Sequence, residues 1–96
     1  MSAIVSQGPI SKSPAIRVKV LFFGRLKEIA GLSEQLAEIG EGARVEDLFA
    51  QYVRAKPELS RYRSSLVASR NQEFCAWNTP LESGDEIAFL PPVSGG

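Results

Sequence analysis

The segment Gly84–Gly96, GDEIAFLPPVSGG, combines a turn, a strand and an unusual chain end. A Gly-Asp turn leads into the apolar run EIAFL, which is typical of a buried strand. Pro91 and Pro92 follow, and because each has a fixed φ and lacks a backbone N–H, the chain leaves the sheet extended and stops pairing. The sequence then ends in Gly95 and Gly96. Chain ends are often poorly ordered, so this segment is either an inert terminus or a tail with a function.

Upstream of this strand, the residue pattern predicts one long helix and several strands. The run IRVKVLFF at 16–23 is rich in β-branched and aromatic residues, which indicates a strand near the middle of a sheet. The other predicted elements are a short helix at 25–31, a strand at 34–39, a helix at 45–56, a hairpin formed by SLVASR and FCAWN, and the last strand, EIAFL.

The helix at 45–56 has the clearest periodicity in the chain. Its apolar residues recur at i, i+3, i+4, i+7 and i+8, so they form one stripe that faces a core. These residues are Val45, Leu48, Phe49, Tyr52 and Val53. Pro57 ends the helix. Arg44 offers no side-chain acceptor to the free N–H groups at its start, so we expect a helix without a good cap.

A single long helix covers only one face of a sheet, so we expect an α+β domain whose other face is open. A β-grasp (ubiquitin-like) arrangement satisfies this, with the first and last strands parallel in the centre and joined by a crossover through the helix. Element order alone is also compatible with a ferredoxin-like split. We expect a flexible extension at 1–15, which is rich in Ser, Pro and Gly, a domain at 16–90 and an extended tail at 91–96.

Charge and composition exclude several classes of function. Eleven Lys and Arg against eleven Asp and Glu give a formal net charge of zero, so neither nucleic acid nor a membrane surface is an expected partner. The absence of histidine excludes Ser-His-Asp and Cys-His hydrolases and the common zinc sites, and we expect no bound metal or cofactor. The single Cys75 indicates a small buried residue in a reducing compartment. Because the sequence shows neither an export signal nor a membrane span, we expect that compartment to be the cytoplasm.

The chemistry of the tail lies in its terminal carboxylate. Once activated as an acyl-adenylate, that group accepts a sulfur nucleophile, which gives a thiocarboxylate, or an amine, which gives an amide link to another protein. Both uses require the chain end to enter a narrow active site. Gly95 and Gly96 suit this, because glycine adopts backbone conformations closed to other residues and passes where a Cβ does not fit.

Three stretches, VKVLFF, VEDLFAQYV and NTPLESGDEIAFLPPVSGG, together resemble the small, sulfur-carrying subunit of molybdopterin synthase. The resemblance covers 16–96 and favours the β-grasp fold, since that family is ubiquitin-like. It implies that a ubiquitin-activating-enzyme-like adenylyltransferase uses ATP to adenylate Gly96, which becomes a thiocarboxylate. It also implies a heterotetramer in which the tail enters a pocket of the large subunit and donates sulfur to a pterin precursor, during molybdenum cofactor biosynthesis.

Other functions stay open at this point. Thiamine-type sulfur carriers and archaeal-type protein modifiers share the fold and the Gly-Gly end, and the Pro91-Pro92 pair favours the molybdopterin branch over the thiamine branch only. A modifier would join Gly96 to another protein through an isopeptide bond. A further alternative is a non-catalytic ubiquitin-like binding module with an inert tail.

Alternation along the strands predicts which residues the helix leaves uncovered. With Val20, Phe22, Ile87 and Phe89 on the helix side, the open face receives Leu21, Phe23, Ala88 and Leu90. A contiguous patch of Phe23, Phe74 and Leu90 at the root of the tail would mark a protein interface, to which the resemblance adds Pro91, Pro92, Val93 and Ser94. The alternative is that Phe23 or Phe74 completes the core.

The charged residues near the last strand carry no predicted chemistry. We interpret Asp85 and Glu86 as a solvated turn rather than a general acid–base pair, because nothing nearby in the sequence indicates such a role. Arg61, Arg63 and Arg70 are scattered and are interpreted as ordinary surface charge.

Overall fold

A computed structural model describes residues 14–91 of this chain. The predicted extension and tail therefore lie outside the described residues, except for Pro14, Ala15 and Pro91, and the three predicted regions stay a prediction. The elements in chain order are β1 Ala15–Phe22, α1 Arg25–Ala30, β2 Glu34–Gly40, α2 Val45–Ala55, a 3₁₀ segment Pro57–Ser65, β3 Val67–Arg70, β4 Glu73–Cys75 and β5 Glu86–Leu90.

The strands form one five-stranded sheet in the order β2-β1-β5-β3-β4. The first and last strands, β1 and β5, pair in parallel in its centre, with Val20 opposite Ile87. The remaining pairs, β1 with β2, β3 with β5 and β3 with β4, are antiparallel. This arrangement confirms the β-grasp prediction and removes the ferredoxin-like alternative. Within residues 14–91, no helix has the length and apolar character needed to cross a membrane.

The core lies between the sheet and α2, as the two periodicities predict. Val20 and Phe22 of β1 and Phe89 of β5 alternate with residues of the other face and are at most 1% exposed. Leu48 and Phe49 of α2 pack against them, and the Phe49 and Phe89 rings meet edge to face at 5.1 Å. Burial of these side chains is the main favourable contribution to folding.

The N-terminus of α2 is capped, but by groups that lie elsewhere in the chain. The N–H groups of Val45 and Glu46 donate to the carbonyls of Thr79 and Trp77, at 3.0 and 2.8 Å. The Asp47 carboxylate accepts from the N–H of Arg44 at 2.8 Å. The prediction that Arg44 provides no side-chain cap is confirmed, and the segment before β5 satisfies the free donors in its place.

The 3₁₀ segment was not predicted from its polar sequence, PELSRYRSS. Leu59 anchors it in the core with no exposed surface. Arg25 Nε of α1 donates to the Tyr62 hydroxyl at 3.3 Å, and the Arg63 guanidinium lies 3.6 Å from the centroid of the Trp77 ring. The interpretation of Arg63 as ordinary surface charge is wrong, since a cation–π contact holds it over an aromatic face.

A two-residue turn joins β3 and β4, which confirms the predicted hairpin. Asn71 and Gln72 both have positive φ, 52° and 73°, as the tight turns favoured in hairpins require. The turn is also bound to the start of β5: the Asn71 N–H donates to the Glu86 carbonyl at 2.7 Å, and the Glu86 N–H donates to Asn71 Oδ1 at 2.9 Å.

Asp85 is buried rather than solvated, so the interpretation of this turn was wrong for that residue. It is 5% exposed and accepts from Arg70 Nε at 2.8 Å, Asn71 Nδ2 at 3.1 Å and the Glu82 N–H at 2.8 Å. Burial raises the pKa of Asp85, but these donors outweigh it and the net pKa is lowered. Arg70 is therefore a structural partner of β5 and not ordinary surface charge.

Candidate docking site at the root of the tail

The face of the sheet opposite α2 carries a cavity of about 430 Å³ next to the end of β5. The predicted patch residues Phe23, Phe74 and Leu90 all line it. Phe23 is 44% exposed and Phe74 is 80% exposed, so neither completes the core. The structure thus brings the three residues together around one concave surface, while their role in docking stays a prediction.

The register of the strands explains why this surface is concave. Leu21 lies opposite Ala88, Ala88 opposite Ser69, and Ser69 opposite Phe74, so one row of side chains crosses β1, β5, β3 and β4. Ala88 and Ser69, in the middle of the row, are small and 7% and 8% exposed. Small residues between larger ones leave a depression, and Phe74 forms one of its walls.

Val67 is an exposed apolar residue that the sequence analysis missed. It lies opposite Leu90 in the pairing of β3 with β5 and is 41% exposed, so it extends the apolar surface along the end of the sheet. The signal was present in the sequence, because in SLVASR alternation places Val67 on the same face as Ser69.

The open face has an apolar half around the cavity and a second half towards β2, in which charged pairs lie beside an exposed apolar residue, Leu36, at 67% exposure. Arg17 Nε lies 3.1 Å from Glu38 Oε2, and Lys19 Nζ lies 3.7 Å from Glu34 Oε2. These exposed pairs join β1 to β2, on the opposite side of β1 from β5. The apolar half is therefore the part of the face that leads directly into residues 91–96.

Pro91, the first tail residue, contacts the turn that follows β1. Gly24 in that turn has a φ of +59°, and a Cβ there would lie 3.1 Å from Pro91 Cγ. The missing side chain lets the chain leave β5 close against the turn. The other predicted tail residues, Pro92, Val93, Ser94, Gly95 and Gly96, lie outside the described residues.

Cys75 lies on β4, opposite Ala68, and is half-buried against the core. Burial raises the pKa of its thiol. A raised pKa keeps the group protonated and unreactive at neutral pH, as the interpretation of Cys75 as a small apolar residue requires.

Comparison with known proteins identifies the family of this chain. The model of the ThiS family matches residues 20–96, which is most of the chain. This chain belongs to the ThiS family. A molybdopterin synthase sulfur carrier subunit from Chlamydomonas reinhardtii is 42% identical over 83 residues, covering 84% of this chain and 100% of that protein. The resemblance to molybdopterin synthase small subunits is thereby confirmed.

Solved structures agree with the fold and with the family. SAMP1 from Haloferax volcanii is 32% identical, with a TM-score of 0.73 over 83% of this chain and 99% of that one. A chain from the complex of subunits 1 and 2 of the molybdopterin-converting factor of Helicobacter pylori is also 32% identical. Its TM-score is 0.58, and the match covers 84% of this chain and all of that one.

Proposed function

We propose that this chain is the sulfur carrier subunit of a molybdopterin synthase. It docks on the large subunit through the apolar half of its open face and places its tail in the partner's active site. The observation that carries the proposal is the continuity of the two parts: Phe23, Phe74 and Leu90 surround one cavity, and the tail begins at the residue after Leu90. The names of the relatives support the same assignment.

The proposed reaction uses the terminal carboxylate of Gly96 rather than a side chain. A ubiquitin-activating-enzyme-like partner joins this carboxylate to the AMP part of ATP and releases pyrophosphate. A sulfur nucleophile then displaces AMP, which leaves a thiocarboxylate. Bound to the large subunit, the thiocarboxylate donates its sulfur to a pterin precursor. Gly95 gives the chain end access to both enzymes, since it has no Cβ.

Docking and tail length fit together in this proposal. An extended segment gains about 3.3–3.6 Å per residue, so residues 91–96 reach on the order of 20 Å from the end of β5. The contact between Pro91 and Gly24 fixes where that reach begins. Fixing the root reduces the volume that the terminal carbonyl samples, which favours its encounter with a buried substrate.

A second candidate function is protein modification through an isopeptide bond at Gly96. The likeness to SAMP1, a small archaeal modifier protein, favours this candidate, because SAMP1 and the Helicobacter chain are equally similar in sequence to this chain, at 32% identity. Both candidates need the adenylate of Gly96. They differ in the nucleophile that follows, which is sulfur for the carrier and a lysine amine for the modifier.

Intact mass spectrometry tests the proposal. We expect the full chain to gain the mass difference between sulfur and oxygen when it is incubated with the activating enzyme of its own organism, ATP and a sulfur source. A variant without Gly96 is the matched control and should gain nothing. A chain whose mass stays unchanged would favour an inert binding module, and conjugates of higher mass in cell extract would favour the modifier.

A further inference from the structure

The lining of the cavity on the open face contains both apolar and polar residues. Phe23, Phe74 and Leu90 form apolar walls, whereas Ser69, Gln72 and Glu86 also line the same space. A surface built only to bind an apolar partner would not need these groups. Their chemistry indicates what kind of side chain the cavity accepts.

Ser69 lies in the floor of the cavity with its hydroxyl unsatisfied. The residue is 8% exposed, and within residues 14–91 its Oγ takes part in no hydrogen bond, unlike the hydroxyls of Ser60 and Ser65. Buried polar groups in folded proteins nearly always have a partner. Once a partner covers the cavity and removes its water, the hydroxyl of Ser69 therefore needs a hydrogen-bonding group from that partner.

Glu86 adds a negative charge that no neighbouring cation neutralises. Lys19 lies opposite it in the register of β1 and β5, but the Lys19 ammonium is paired with Glu34 at 3.7 Å. None of the salt bridges among residues 14–91 includes Glu86. The backbone of Glu86 is fixed by two hydrogen bonds, one from its N–H to Asn71 Oδ1 and one from the Asn71 N–H to its carbonyl, and Glu86 lines the cavity.

We propose that this cavity accepts an arginine side chain of the docking partner. Ser69, Gln72 and Glu86 each present an oxygen that accepts a hydrogen bond, and a guanidinium donates several hydrogen bonds in one plane. The aliphatic part of an arginine packs against Phe23, and its planar head stacks on an aromatic ring such as that of Phe74. The inference rests on the proposed function, in which the partner is the large subunit.

Other side chains fit the cavity less well. An apolar side chain would remove water from Glu86 without neutralising it and would leave Ser69 without a partner. A lysine ammonium is more strongly hydrated and lacks the planar arrangement of donors. The charge and the unsatisfied hydroxyl thus both favour a guanidinium.

Small arginine derivatives test this preference directly. We expect N-acetyl-arginine amide to shift the backbone amide NMR signals of Ser69, Gln72 and Glu86 in the full chain. N-acetyl-citrulline amide, its uncharged isostere, should shift them much less, and Glu86→Gln should remove the difference. Glu73→Gln, which removes an exposed charge of β4 outside the cavity lining, is the matched control and should keep it. Equal shifts with the arginine and citrulline compounds would overturn the proposal.

Binding to the large subunit of the same organism gives a second test. We expect Glu86→Gln to weaken binding roughly 10- to 100-fold, as the loss of a desolvated charge pair does, and Glu73→Gln to change it less than about twofold. If Glu86→Gln binds like the unmodified chain while Phe74→Asp prevents binding, the arginine site is wrong and docking through this face stands. If Phe74→Asp also binds normally, the docking face itself is wrong, and the arginine site fails with it.

Discussion

Replacement of Phe74 by alanine should separate binding from folding. Phe74 is 80% exposed, so only about one fifth of its surface is removed from water in the isolated chain. A fully buried phenylalanine contributes roughly 3 kcal/mol, so the truncation should lower the free energy of unfolding by about 0.6 kcal/mol. In a domain of this size, that corresponds to a decrease in Tm of about 2–5 °C.

The same truncation should have a much larger effect on docking. An aromatic residue at the centre of an interface contributes about 2 kcal/mol or more, which raises the Kd for the large subunit roughly 30-fold. Calorimetric titration against the large subunit and thermal unfolding of the isolated chain give the two quantities. Phe49→Ala is the control for folding, since Phe49 is 3% exposed and its loss should cost about 3–5 kcal/mol. A Phe74→Ala chain that unfolds as easily as Phe49→Ala would show that Phe74 belongs to the core. One that binds the large subunit with unchanged Kd would show that Phe74 is not a docking residue.

Three further predictions concern Asp85, the open face and the tail. Asp85→Ala removes the nearer of the two carboxylates paired with Arg70, leaves only Glu82 at 3.7 Å, and should lower the free energy of unfolding by about 2–4 kcal/mol in chemical denaturation. Because the folded pKa of Asp85 is lowered, its stabilisation is complete above the unfolded pKa of about 3.9 and declines as pH falls towards the lower folded value. Acid titration of Asp85→Asn should lack this decline, and an unchanged acid profile would contradict the assignment. Phe23→Asp should weaken docking on the large subunit. Because Phe23 is 44% exposed, the same arithmetic gives a loss of about 1.7 kcal/mol in the free energy of unfolding, measured by thermal unfolding and well short of the loss in Phe49→Ala. Gly95→Val should prevent sulfur loading or transfer, measured by intact mass, with Tm unaltered; normal loading and transfer would show that no narrow slot receives the tail.

The local elements and the open face were predictable from the sequence because they depend on short-range periodicity. Alternation in β1 and β5 placed Phe22 and Phe89 in the core and Phe23 and Leu90 on the other side, and the structure agrees. The 3₁₀ segment was missed, since Leu59 is its only fully buried residue and no period repeats.

The long-range polar contacts were not predictable, because their partners are far apart in the chain. Asp85 looked solvated until β3 brought Arg70 beside it, and the N-terminus of α2 looked uncapped until Thr79 was placed against it. The mixed polarity of the cavity lining was not predictable for the same reason, since Ser69 and Glu86 come from two different strands, β3 and β5. Sequence patterns identify which face a residue occupies, whereas sheet pairing decides which residues meet there.

In the proposed function, Gly96 carries sulfur to a substrate held by the large subunit. The most direct measurement follows the intact mass of the thiocarboxylated chain in a single turnover with the large subunit and the pterin precursor. We expect the mass to return to that of the carboxylate no later than molybdopterin forms. A thiocarboxylate that persists while molybdopterin accumulates would contradict this expectation.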